Sequence, residues 1–212
     1  MEKINKIKWS KWPSFKSEEI RGVSKVVRSN QLFAEKEVKK FEVAFAKFIG
    51  VKYALGTGNA TQALHLSLAA LNIGEGDEVI VTSFSWISTA SCILMQNAVP
   101  IFCDIEKDSL GASPEDIENK ISSKTKGIII THVFGYPAKI DRILKISKKY
   151  KIPIIEDASH AHGAKVNNKY VGSFGIISVF SLHQRKSLSV GDGGILCTNN
   201  KKIREKVYKL RS

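Results

Sequence analysis

The sequence predicts an α/β protein, a three-layer α/β/α domain around a mainly parallel sheet, and three features predict it. Short apolar runs recur along the chain: "KYALG", "DEVIVT", "VPIFCDI", "GIIIT", "IPIIED", "IISVF" and "GILCT". They are continuous in Val and Ile rather than alternating with polar residues, the pattern of strands buried on both faces. Helix-like segments such as "TQALHLSLAAL" and "KIDRILKISKKY" separate most of them, and strand–helix alternation builds a parallel sheet flanked by helices. The last two runs have only a glycine-bearing loop between them and are expected to be antiparallel or at an edge.

Ahead of these runs, residues 1–16 read as an extended arm and residues 17–212 as one domain. "SEEIRGVSKVVRSN" predicts a helix with Ser17 as cap, Glu18 and Glu19 at its positive end, and Ile20, Val23 and Val27 on one face. A second helix carries Val38, Phe41, Phe45 and Phe48 at helical spacing until Gly50 stops it.

At 212 residues, 43% hydrophobic and 25% charged, the chain has the composition of an ordinary globular domain with a real core. It holds no run of about 18 apolar residues, and its start has no apolar signal region, so a cytosolic protein without a membrane span is expected. Cys92, Cys103 and Cys197 are far apart among apolar residues. An odd number without CxxC spacing predicts buried, reduced thiols rather than a disulfide framework or zinc site. The net charge of +13 raises nucleic-acid binding. The lysines, however, are scattered as pairs on helical stretches, with no basic run and no interleaved aromatics. A solvated surface accounts for them, and the charge also suits an anionic small substrate.

In open sheets of this kind, ligands gather beyond the carboxyl ends of the strands. After "KYALGTGN" a helix begins near Ala60 and Thr61, where free amides at a positive helix end can hold a phosphate; a plain turn and cap is the alternative. The spacing is neither a P-loop nor GxGxxG. Trp86 follows "DEVIVT", where it can stack on a planar ligand or pack against the next helix. Asp157 ends "IPIIED" at the mouth of the sheet, where a carboxylate can pair with a protonated ring nitrogen or a metal. His160 and His162 follow it, but no further His, Cys or Glu cluster completes a site, so no metal is expected. Ser181 and His183 follow "IISVF", and Lys186 precedes the glycines 191, 193 and 194, which let the backbone turn. A lysine of lowered pKa can condense with an aldehyde. Anion cradle, flat aromatic, carboxylate and amine are the set that pyridoxal phosphate (PLP) requires.

The segments "GNATQALHLSLAALNIGEGDEVIVTSFSWISTAS", "PIFCDIEKDSLGASPEDIENKISSKTKGIIITHVFGYPAKID", "IIEDASHAHGAKVNNKYVGSFG" and "FSLHQRKSLSVGDGGILCTN", in this order and spacing, resemble the DegT/DnrJ/EryC1/StrS family of PLP-dependent sugar aminotransferases, of the type I aminotransferase fold. The resemblance implies that Lys186 binds PLP and moves protons between substrate and cofactor carbons. It implies that Asp157 pairs with the pyridine nitrogen, that His160 lies near the phenolic oxygen and that Trp86 stacks on the ring. Ala60, Thr61 and Ser181 correspond to the family's phosphate site. Relatives with histidine in place of the lysine dehydrate sugars, so the lysine here implies transamination.

The implied activity converts a keto group on a nucleotide-activated sugar, or alternatively a keto-cyclitol, to an amine. Glutamate or glutamine would be the donor, cell-surface polysaccharide or amino-sugar biosynthesis the setting, and a homodimer the working form. "SLHQRK", with Leu182 and Arg185, and Asp192 in place of the usual glutamate depart from the family's commoner forms. Family members also continue into a smaller C-terminal domain, absent after "VYKLRS". A catalytically incomplete fragment that only binds PLP or a partner is therefore the alternative expectation. No helix-turn-helix or basic recognition helix suggests DNA binding.

Overall fold

The structure, a computed structural model, describes residues 11–32 and 36–211. Most of the expected N-terminal arm lies outside the described residues; its last part ends at Lys16 and leads into α1 (Ser17–Arg28). Ser17 is not the cap. Lys16 takes that position, and its own amide donates to the Glu19 carboxylate at 2.8 Å, the half of a capping box supplied by an acidic side chain three residues in. None of the residues of α1 is buried.

α2 (Lys36–Ile49) ends at Gly50, whose positive φ of 82° a glycine adopts without a Cβ penalty. Its buried residues are Phe45, Ala46 and Ile49, whereas Phe48 of the expected stripe is exposed. From there strand and helix alternate: β1 (Tyr53–Thr57), α3 (Ala60–Ala70), β2 (Glu78–Thr82), α4 (Ser88–Met95), β3 (Val99–Cys103), α5 (Pro114–Asn119), β4 (Thr125–Thr131), α6 (Ile140–Tyr150), β5 (Ile154–Asp157), a small hairpin of β6 (Lys165–Val166) and β7 (Lys169–Tyr170), β8 (Ile177–Ser181), β9 (Gly194–Thr198) and α7 (Lys201–Leu210).

The main sheet has the order β1-β9-β8-β5-β4-β2-β3 among the described residues. β2, β3, β4, β5 and β8 run parallel, and β9 is antiparallel to both neighbours. The last apolar run is therefore antiparallel, as one expected alternative had it, but it is interior rather than an edge. β1 folds back to cover it, and this explains why "GILCT" is buried throughout.

Period-2 alternation divides the Val and Ile residues between two layers. Val79, Val81, Ile129 and Ile155 pack with Leu64, Leu68 and Ile93 of α3 and α4, and with Ile203 and Val207 of α7. Ile80, Ile128, Ile130 and Ile154 pack with Ile117 of α5 and Ile140, Ile143 and Ile146 of α6. Phe45 of α2 meets Phe180 of β8 edge-on at 5.1 Å in a third cluster. Each fully buried Ile or Phe contributes roughly 1.5–3 kcal/mol of transfer free energy, so both sheet faces are held by helices. All three cysteines are free and buried; burial pushes the Cys92 and Cys103 thiols up to about 12 and the Cys197 thiol up as well. Among the described residues no helix is long and apolar enough to cross a membrane, and no group of three His, Cys, Asp or Glu could hold a metal ion.

Candidate active site

Parallel strands deliver their carboxyl ends to one edge of the sheet, and the sequence-expected residues meet there. Asp157 is the last residue of β5 and is buried rather than open at a mouth. Alternation along β5 turns Asp157 toward the α3/α4 layer and its neighbour Glu156 toward the opposite face. Thr89 Oγ1, near the start of α4, donates to Asp157 Oδ2 at 2.8 Å, and the Ser159 amide donates to Oδ1 at 3.2 Å. Behind Thr89 stands a chain of hydroxyls: Thr131 Oγ1 donates to Ser85 Oγ at 3.0 Å, and Ser85 lies 2.7 Å from Thr89 Oγ1. Because the Thr89 proton is committed to the carboxylate, Ser85 must donate to Thr89. The chain therefore runs one way, Thr131 to Ser85 to Thr89 to Asp157, and fixes the carboxylate's direction.

At the start of α3 the first intrahelical bond is from the Ala63 amide to the Asn59 carbonyl. Asn59 Oδ1 caps the Gln62 amide at 2.9 Å. The amides of Ala60 and Thr61 precede that ladder and lie at the helix's positive end, as an anion cradle requires. Thr61 Oγ1 donates to Ser88 Oγ at 2.7 Å, tying this helix start to that of α4. Gly194 sets the third side. A Cβ there would lie 2.4 Å from the Asn59 carbonyl carbon and 2.7 Å from the Ala60 nitrogen. Ser181, at the end of β8, is the register partner of Gly194, so its hydroxyl belongs to the same corner. The need for Gly194 is thus close backbone approach; among glycines 191, 193 and 194 only Gly191 has a positive φ, 96°.

Lys186 lies in the excursion between β8 and β9. Leu182 and Gly193 continue the ladder, the Leu182 amide donating to the Gly193 carbonyl at 2.8 Å, and His183 bridges Gly191. The Lys186 amide closes a turn onto the His183 carbonyl at 2.8 Å, and Trp12 Nε1 donates to the Lys186 carbonyl at 3.2 Å. The side chain is half-buried. Burial lowers the pKa of its amine below the ordinary lysine value, opposed by the negative charge of Asp157.

Trp86 does not pack against the next helix: it is 71% exposed in the β2–α4 loop, with its ring open. His160 is half-buried; burial and then the Lys186 charge lower its pKa, while Asp157 opposes them. Its Nδ1 is buried without a hydrogen-bond partner among the described residues. A flat ligand bearing an anion, an aldehyde and a ring nitrogen fits these groups: an amide cradle, a half-buried amine, a fixed carboxylate, and an imidazole nitrogen with capacity to spare.

Two features escaped the sequence reading. The hydroxyl chain behind Asp157 joins residues as far as 68 positions apart, and no local pattern announces it. On the opposite face, Glu156 is fully buried and accepts from the amides of Gly172, Phe174 and Gly175 at 2.6–2.8 Å and from His132 Nε2 at 3.1 Å. The Ala138 amide donates to His132 Nδ1 at 3.1 Å, which places the ring proton on Nε2. Burial pushes the Glu156 carboxyl up, but the His132 hydrogen bond and the Gly175 and Gly172 amides outweigh it and hold it below its ordinary value. The "ED" pair thus splits its tasks: Glu156 ties down the β7–β8 loop while Asp157 faces the site.

The fold is of the type found in PLP-dependent aminotransferases. The chain belongs to the DegT/DnrJ/EryC1/StrS aminotransferase family, whose model matches residues 13–212. It is 40% identical over 199 residues to an uncharacterised protein, MJ1066, of Methanocaldococcus jannaschii, covering 94% of this chain and 52% of that protein. The aminotransferase of Psychrobacter cryohalolentis is 38% identical with a TM-score of 0.92, over 95% of this chain and 52% of that one. The GDP-4-keto-6-deoxy-D-mannose-3-dehydratase of E. coli, solved with bound hydrated PLP, is 28% identical with a TM-score of 0.87, over 93% and 54%. The chain spans about half the length of the relatives it matches.

Proposed function

We propose that this chain carries the cofactor-binding part of an aminotransferase that converts a keto group on a nucleotide-activated sugar to an amine, with glutamate or glutamine as donor. Pyridoxal phosphate is the cofactor that family membership and this set of side chains support. One observation carries the reading: a half-buried lysine, a carboxylate fixed by a hydroxyl chain and the amide pair at the α3 start converge on one sheet edge.

When bound, PLP supplies an electron sink for a carbanion formed at the substrate carbon. The chain's residues do the rest. The amides of Ala60 and Thr61, with the Ser181 hydroxyl, hold the phosphate. Asp157 accepts the hydrogen bond of the protonated ring nitrogen, keeping that proton in place. Trp86 covers one face of the ring and His160 meets its phenolic oxygen. Lys186 is the amine that would hold the cofactor through its aldehyde, and, once free, the base that would take a proton from the donor's carbon and return it on the other side of the transfer. Its lowered pKa keeps more of the amine neutral and able to accept that proton.

Lysine rather than histidine at position 186 supports transfer over the dehydration named for the E. coli relative. The keto group could also sit on a cyclitol, and the sugar reading draws on the GDP-keto sugar in that relative's name. Apolar side chains left open around the site, Trp86 at 71%, Ile87 at 73%, and Phe134 and Tyr136 each at 65% exposure, support a homodimer with the site near its interface. The setting is amino-sugar synthesis in the cytoplasm, feeding cell-surface polysaccharide. The alternative is a chain that binds PLP without turnover.

The experiment that separates the two is the donor half-reaction. PLP-loaded protein mixed with glutamate or glutamine releases the matching keto acid in stoichiometric amount, and Lys186→Ala releases none. PLP binding with no keto acid from either donor would leave only the alternative.

A further inference from the structure

Immediately after β4 the chain makes a tight turn through residues 133–135, closed by the Tyr136 amide donating to the Val133 carbonyl at 2.8 Å. Phe134, at its centre, has φ 52° and ψ 22°. This is left-handed backbone, which a bulky aromatic rarely adopts and which glycine takes freely. Hydrophobic burial does not repay it, because Phe134 is 65% exposed. The conformation instead aims the ring. It lies parallel to the His160 imidazole, 3° between planes and 5.8 Å between centroids, an offset stack. Phe84, from the β2–α4 loop, braces it from the side at 6.1 Å and 73°. The turn also abuts the His160 backbone: a Cβ on Gly135 would be 3.5 Å from the His160 carbonyl oxygen. The loops after β2 and β4 thus pack beside the imidazole of His160, in the loop after β5, whose Nδ1 is buried and unpartnered among the described residues.

We propose that Phe134 is a positioning residue: its left-handed backbone lays the ring along His160, braced by Phe84, and so holds the plane of the imidazole that meets the cofactor. The buried Nδ1 has no hydrogen bond among the described residues to orient the ring, and the stack supplies a constraint in its place. The proposal rests on the reading of His160 as a cofactor-facing residue. Its own content, that Phe134 sets the surroundings of His160, holds without any ligand bound.

The test uses Phe134→Gly, which removes the ring while suiting the backbone, with Phe134→Tyr as the conservative control. Phe134→Asn, which also tolerates left-handed backbone, is the second ringless variant should glycine loosen the turn. Two readouts are taken on the full chain. The first is the His160 titration by NMR without cofactor, assigned with His160→Gln. The titratable or charged groups acting on His160 are Lys186, Asp157 and His162, and none of them is changed. The wild-type midpoint lies below the ordinary 6.5 chiefly because of burial. Phe134→Gly therefore moves it up toward 6.5 and Phe134→Tyr leaves it at the wild-type value. The second is PLP affinity from the cofactor's absorbance: Phe134→Gly weakens it roughly two- to tenfold, the range of an aromatic contact, with no fall in unfolding temperature. A His160 midpoint unmoved in both ringless variants, or PLP bound by them as tightly as by wild type, would overturn the proposal. If wild-type protein binds no PLP at all, the functional reading fails, and the NMR midpoint alone decides the clamp.

Discussion

His162 carries a cost that the site residues around it explain. Its two ring nitrogens are buried without hydrogen-bond partners among the described residues, and its ring packs 5.4 Å from Phe180. Burial pushes its pKa down to about 4, with the Lys186 and His160 charges acting in the same direction and the Ser181 backbone opposing them. An unfolded chain protonates this histidine near the ordinary 6.5 and the folded chain only near 4. The unfolded state therefore binds more protons between those values, and stability falls as pH drops through that window. The expected loss is on the order of 2 kcal/mol, seen as a falling urea midpoint from pH 6.5 to 4.5. His162→Gln should flatten the slope over that range. An equally steep slope in the variant would place the acid sensitivity elsewhere.

At the scale of elements, β9 and α3 meet with no room for a side chain between them. Gly194 lies against the Asn59–Ala60 peptide, at distances where a Cβ would collide with backbone rather than with a flexible side chain. Gly194→Ala must push the start of α3 away from β9. It should cost about 2 kcal/mol or more in urea unfolding and weaken phosphate-bearing ligands, because the displaced amides are those of Ala60 and Thr61. Unchanged stability and unchanged PLP affinity in that variant would mean that the α3 start is not held by β9. The strands themselves were legible in the sequence, because runs such as "GIIIT" and "IISVF" are buried on both faces and leave no other reading. The interior place of β9 was not legible, since β1 pairs with it from about 140 residues away in the chain. The β6–β7 hairpin was missed although its turn was on view: Asn167 and Asn168 both have positive φ, 49° and 62°, the conformation that a tight two-residue hairpin demands.

At the scale of the whole molecule, one sheet edge collects groups from every part of the chain: the α3 start, the β2–α4 loop, the end of β5 and the excursion after β8. Their individual types and their places after strands were readable, because a parallel sheet sends all its carboxyl ends to one side. The supports were not. The hydroxyl chain behind Asp157, the Glu156–His132 tie and the Phe134 stack on His160 join residues distant in sequence, and only packing reveals them. Under the proposed function, this edge forms the cofactor's site within the 212-residue chain itself. The most direct measurement adds PLP to the purified chain, records the visible spectrum, fixes any adduct with borohydride and maps it by peptide mass, beside Lys186→Ala. The expected result is a visible band lost in the variant and a reduced adduct on Lys186. A folded chain with no band, or with adducts spread over surface lysines and unchanged by Lys186→Ala, would contradict it.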